Sequence, residues 1–184
     1  MPGNLPDREL HVLLNIYGHQ NPDGTIEQQP GNPNSLGFNY GLNYARPGAT
    51  IQSVDALGNL DLAQVTSDPN WSNRIDIYFQ VMGSILGNDG ISYPVRFATA
   101  TETSGNPKQV GFCWRINNQN DENPIAWPAT MSAARISNSE VEINDQSPGR
   151  NSVPYYYNLG IAIDNIAGLG SYYYITFDPK IVNG

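Results

Sequence analysis

Apolar residues recur at every second position along most of this chain. Leu10, Val12, Leu14 and Ile16 alternate with His11, Asn15 and Tyr17, and Leu13 is the one apolar residue out of phase. Leu36, Phe38, Tyr40, Leu42 and Tyr44 alternate with Gly37, Asn39, Gly41 and Asn43. Ile75, Ile77, Phe79 and Val81 alternate with Asp76, Tyr78, Gln80 and Met82. The period continues through Ile91, Tyr93, Val95 and Phe97, and again through Val110, Phe112, Trp114 and Ile116. A period of two is that of a pleated strand with one face on a core and one toward solvent. Weaker strand patterns cover Thr50–Ala56, Leu60–Thr66, Met131–Ile136 and Glu140–Ile143. The pattern predicts about nine to eleven short strands, more than one open antiparallel sheet usually carries.

Two tyrosine triplets, Tyr155–Tyr157 and Tyr172–Tyr174, bracket Leu159–Asp164 and the segment Asn165–Gly170. Aromatic and β-branched residues at this density predict a β-hairpin. Asn88-Asp89-Gly90 is a second hairpin signal, because Asp-Gly and Asn-Gly accept positive φ. Gly58-Asn59, Ser104–Pro107 and Ser147-Pro148-Gly149 punctuate the chain in the same way. No amphipathic stripe of helical period is present. Short strands with frequent turns predict an all-β, antiparallel two-sheet β-sandwich of immunoglobulin-like or jelly-roll kind. Pro94 inside the 91–100 run predicts an edge strand or a bulge there. The expected organisation is one domain over residues 1–184, with long polar loops near 19–35 and 117–128.

Composition narrows the function classes. Charged residues make up 14% of the chain, and its net charge is −8. The only lysines are Lys108 and Lys180, and the arginines are scattered singly from Arg8 to Arg150. Such a chain has no basic stripe to neutralise phosphates, which argues against nucleic-acid binding. No stretch is apolar enough to span a bilayer as a helix. The start, Met1 to Asp7, lacks a basic region followed by an apolar run, so the expectation is a cytoplasmic protein, or one exported without a visible signal peptide. Cys113 is the single cysteine and sits in a strand pattern, which favours a packed side chain over a nucleophile.

Catalytic signatures are missing. His11 and His19, the only histidines, match no zinc spacing. There is no Gly-x-Ser-x-Gly elbow, and Gly83–Gly87 lacks the lysine of a phosphate loop. Asp121-Glu122 and Glu140/Glu142 are sequence neighbours, a spacing that does not place two carboxyls across a cleft. The expectation is a protein that is not an enzyme.

Binding and assembly remain. Trp71 and Trp127 fall in expected loops, beside Asn120 and Asp121 in the case of Trp127. An aromatic face next to Asn and Asp side chains suits the apolar patches and hydroxyls of a sugar, so these four residues are candidate glycan contacts. The alternative is that Trp127 covers one end of the fold and that tyrosines stack across strands. Asn88, Asp89 and Asp121 are candidate calcium ligands without EF-hand spacing; no other cofactor is expected. The hairpin carries tyrosine on both faces, with Tyr156 and Tyr173 opposite their triplet neighbours, so both are candidate interface residues of a homo-oligomer.

The ending Gly170-Ser171-Tyr172-Tyr173-Tyr174-Ile175-Thr176-Phe177-Asp178-Pro179-Lys180-Ile181 resembles the close of the bacterial inclusion-body AidA/PixA family, and the strand Val12–Ile16 is compatible with it. The resemblance implies a β-sandwich associated with inclusion bodies, without known catalysis, and supplies no functional residues. The reading of the residues is a self-associating, non-enzymatic binding protein that recognises carbohydrate through loop aromatics. Its alternatives are a structural inclusion-body protein with no small ligand and an unrecognised hydrolase.

Overall fold

The computed structural model describes residues 4–26, 37–40, 44–47, 53–118, 121, 123–146, 154–177 and 179–182. Among them run twelve strands: β1 (Arg8–His19), β2 (Gly37–Tyr40), β3 (Tyr44–Arg46), β4 (Leu60–Asp61), β5 (Ile75–Leu86) and β6 (Ser92–Phe97), then β7 (Cys113–Ile116), β8 (Met131–Arg135), β9 (Glu140–Asp145), β10 (Tyr155–Asp164), β11 (Tyr172–Phe177) and β12 (Lys180–Val182). One 3-10 turn, Leu62–Gln64, follows β4 and is capped by the Asp61 carboxylate on the Ala63 N–H. No described helix is long and apolar enough to cross a membrane.

The all-β character holds, but the antiparallel two-sheet sandwich does not form. All twelve strands belong to one continuous sheet curled over a core, with the path β2-β1-β5-β6-β10-β12-β4. The longest pairing is parallel: β1 and β5 run side by side from Arg8↔Ile75 to His19↔Leu86. Alternation dictates which face of a strand is buried, not which strand lies beside it, so this pairing leaves no mark in the periodicity.

Closure turns on β6. Residues Ser92–Pro94 pair with β5, whereas Val95–Phe97 pair with β10. Pro94 has no N–H to give, and it is the last residue in register with β5. The strand thereby hands the sheet from one arm to the other. The arms meet in a core that contains Leu10, Leu14, Ile77 and Phe79 from one and Tyr157, Leu159, Ile161 and Ile175 from the other. The Phe79 and Tyr157 rings touch at 5.6 Å between centroids.

Strand β10 is buried on both faces. Beyond the main core it contributes Ala162 to a smaller cluster with Ala98, Trp114, Ile116 and Tyr174, so Trp114 is a packed residue. The segment 98–111 is held against this cluster by an ion-pair network. Arg96 grips Glu102 with both terminal nitrogens, at 2.8 and 2.7 Å, and Asp164 with Nε at 2.7 Å. Hydrogen bonds from Arg96 outweigh burial and hold the Glu102 carboxyl down at about 2.

Candidate self-association face

Along β1 and β5 the in-phase residues are buried, and the out-of-phase residues form the opposite face of the sheet. Register fixes their rows: Glu9 beside Asp76, His11 beside Tyr78, Leu13 beside Gln80, Asn15 beside Met82, Tyr17 beside Ser84 and His19 beside Leu86. Strand β9 extends the first three rows with Asn144, Glu142 and Glu140, and β6 extends the last two with Pro94 and Ser92. The face therefore has two halves of different chemistry.

The half toward the β5–β6 hairpin is apolar and open. Tyr17, Met82 and Leu86 are 50%, 49% and 48% exposed, large values for side chains of this size. Ile91, expected on the buried side of its strand, lies in the turn before β6 and is 55% exposed. Gly83 sits in this half with φ +113, and a Cβ there would lie 1.8 Å from the Ile16 carbonyl oxygen, so only glycine lets β1 and β5 run this close.

The other half is acidic. His11 stacks on Tyr78 with ring centroids 4.9 Å apart, and its Nε2 lies 2.9 Å from Glu9. Arg46 Nε approaches Glu9 at 3.7 Å. The Asn144 amide donates to Asp76. Burial, offset in part by that bond and reinforced by Asp7 and Glu9, raises the Asp76 carboxyl above its ordinary value. Burial followed by Asp76 and Glu140 raises Glu142 as well. The Tyr78 phenol, desolvated and ringed by these carboxylates, is pushed up to about 12.

The described residues singled out in the sequence are engaged in other contacts. Trp127 is half-buried and packs on the main core. Trp71 is half-buried in a turn closed by its N–H on the Asp68 carbonyl at 3.1 Å. Among the described residues the stacked or tilted ring pairs are His11–Tyr78 and Phe79–Tyr157, and neither includes a tryptophan. Asp121 turns its Oδ1 onto the Asn123 N–H and side-chain amide, at 2.9 and 2.7 Å, which hold its carboxyl below the usual range; Asn120 lies outside the described residues. Asp89 accepts from the Ile91 N–H with one oxygen and from the Tyr93 hydroxyl with the other, at 3.0 and 2.6 Å, and so closes its own turn. Asn88 is exposed, its N–H on Gln20 Oε1. No group of three or more His, Cys, Asp or Glu among the described residues is placed to hold a metal ion.

The tyrosines act as ties between elements. Tyr173 is half-buried on the main core and donates its hydroxyl to the Ile26 carbonyl at 3.2 Å. Tyr174 donates to the Gly111 carbonyl at 2.6 Å, and Tyr172 exchanges bonds with the Thr103 backbone. Tyr156 packs on the smaller cluster. Burial raises the Cys113 thiol, which leaves it a poor nucleophile.

A cleft of about 670 Å³ opens where β4 meets β12, lined among others by Asp55, Asn59, Asp61, Gln64 and Lys180. Burial would raise the Asp55 carboxyl, but hydrogen bonds from Asn59 and Leu57 and the nearby Lys180 charge outweigh it. Both carboxylates of the cleft are spent on its own turns, Asp55 on Leu57 and Asn59 and Asp61 on Ala63 and Gln64.

Sequence reasoning passed over Tyr17, Met82, Leu86 and Ile91. Their signal was faint: Tyr17 and Met82 are large apolar residues in the polar phase of an alternating strand, the places where water is expected.

No family model matches the chain. No curated protein matches it either. Among solved structures it is similar to the crystal structure of an inclusion body protein (PixA) from Burkholderia cenocepacia J2315, with 13% identity over 99% of both chains and a TM-score of 0.37. That structure comes from the family which the C-terminal residues of this chain resemble.

Proposed function

We propose that this is a non-enzymatic structural protein that assembles with copies of itself through the outer face of β1, β5 and β6. The observation that carries the reading is the open half of that face, where Tyr17, Met82 and Leu86 stand about half exposed on the adjacent strands β1 and β5. No Asp, Glu, Lys or Arg occupies the rows of Met82, Ser84 and Leu86, and His19 stands beside Leu86. Large apolar side chains left open together on one sheet face mark contact sites on soluble proteins.

Association with inclusion bodies, without known catalysis, is what the resemblance of the C-terminal residues implies, and it suits such a reading. A glycan site at Trp71 and Trp127 has less behind it, because Trp127 is committed to the core and no ring pair joins the two.

The test is sedimentation velocity on the Met82→Lys/Leu86→Lys double variant. Both positions are exposed, so each change leaves stability within about 0.5 kcal/mol. The wild type is expected to sediment as an oligomer or larger assembly and the variant as a folded monomer. A folded variant that sediments like the wild type rules out this face.

A further inference from the structure

The acidic half of the face lies in the path of the contact just described. Going along β5 from Met82, the Gln80/Glu140 row is about 7 Å away, the Tyr78/Glu142 row about 13 Å and the Glu9/Asp76 row about 20 Å. The nearest of these falls within a Debye length of about 10 Å at 0.1 M salt. Two copies that dock through Met82 and Leu86 bring both sets of carboxylates to one boundary.

We infer that the carboxylates on this face gate self-association: ionised, they hold two copies apart, and neutralised or screened, they let the apolar half dock. The inference rests on the self-association reading and adds its regulation.

The charges around the gate are unbalanced. On β1 stand Glu9, His11, Tyr17 and His19, on β5 Asp76 and Tyr78, and on β9 Glu140 and Glu142. Asp7 and Arg74, which flank the starts of β1 and β5, both act on Asp76. From β3, Arg46 faces Glu9. Beyond β9, the outward positions of β8 in these rows are Ser132 and Ala134, which carry no charge. The residues of β2 beside β1, Gly37 to Tyr40, are also uncharged. At the other end, Asp89 sits at the hairpin tip, bonded to Tyr93. Six carboxylates thus stand against two arginines and two histidines, and Asp76 and Glu142 already sit where burial and their neighbours disfavour the charge. A second copy would desolvate them further, so docking favours their protonated forms. Acid or salt then strengthens association.

The experiment measures assembly by sedimentation equilibrium while pH falls from about 7.5 to about 5.5 at low salt, and separately while salt rises to about 0.5 M at the higher pH. Wild-type protein is expected to associate more tightly at the end of each series, by roughly tenfold in the pH series, which corresponds to an average uptake of about half a proton over two pH units. Glu140→Gln/Glu142→Gln removes two charges from the face, and this variant should associate at pH about 7.5 as the wild type does at about 5.5. Asp61→Asn/Asp121→Asn removes the same charge from turns off the face and should follow the wild type. Wild-type assembly indifferent to both pH and salt overturns the gate. So does a control pair that acts like the face pair, because net charge rather than this face is then responsible. Met82→Lys/Leu86→Lys separates the two readings. If it is monomeric while the face pair changes nothing, only the gate fails; if it assembles like the wild type, the docking face fails and the gate with it.

Discussion

Tyr157→Ala is expected to cost the fold about 3–5 kcal/mol, the range for removing a buried aromatic side chain. Tyr157 is fully buried on β10, its ring lies 5.6 Å from that of Phe79 on β5, and its hydroxyl donates to the Gly58 carbonyl at 3.3 Å. The two rings come from opposite arms of the curled sheet, so this contact is the most direct measure of how the arms hold each other. Tyr157→Phe should lose only the hydrogen bond, about 1 kcal/mol. A double-mutant cycle with Phe79→Ala should give a coupling of about 0.5–1.5 kcal/mol, as for aromatic pairs elsewhere. Urea denaturation of the four proteins yields all of these values. Additive costs would mean that the rings, and the arms that bear them, do not pack together.

Gly160→Ala should be nearly as damaging although it adds a single methyl group. A Cβ at this position of β10 would stand 2.0 Å from the Gly111 carbonyl oxygen and 2.3 Å from the Tyr174 hydroxyl. Tyr174 donates to that same carbonyl, and the Gly160 N–H donates to Phe112 at 2.8 Å. Neither neighbour is the loose end of a flexible side chain. Overpacking of about 1–3 kcal/mol combines with the loss of a buried hydrogen bond worth about 1 kcal/mol. A loss of about 3 kcal/mol in a thermal or urea melt is expected. The Gly160→Ala/Tyr174→Phe pair should recover part of it, because removing the hydroxyl opens space. A Gly160→Ala melt that matches the wild type would mean that 98–111 does not lie against β10.

What could be read from the sequence follows from what a period of two encodes. Leu10 to Ile16 and Ile75 to Val81 gave strands β1 and β5 and their buried faces, because each alternation persists for at least seven residues. The C-terminal hairpin was equally legible, with Leu159↔Phe177 through Asp164↔Tyr172 in register. Neighbour choice was not. A parallel β1–β5 pair needs a long crossover, and turn signals report only local reversals. Pro94 read as an edge or bulge, yet its consequence is larger: it stands where β6 exchanges β5 for β10 and turns two expected sheets into one.

The candidate site was less legible still. The tyrosine triplets drew attention as exposed surface, but each hydroxyl of Tyr172, Tyr173 and Tyr174 ties a distant backbone segment, which sequence cannot display. Trp114, in the apolar phase of its strand, is packed in a second cluster behind β10. The open apolar side chains Tyr17 and Met82 were visible as letters in the polar phase, but their meaning needed β5 and β6 beside them.

The central claim, that copies meet through this face, is tested most directly by cross-linking. A Met82→Cys variant places a thiol at the middle of the apolar half, and Asp61→Cys places one on the far arm; the native Cys113 is common to both. With a short bifunctional maleimide in dilute solution, Met82→Cys is expected to give covalent dimers on a denaturing gel and Asp61→Cys to remain at the wild-type background. Equal cross-linking at the two positions, or none at Met82→Cys while the protein sediments as an assembly, would contradict the account.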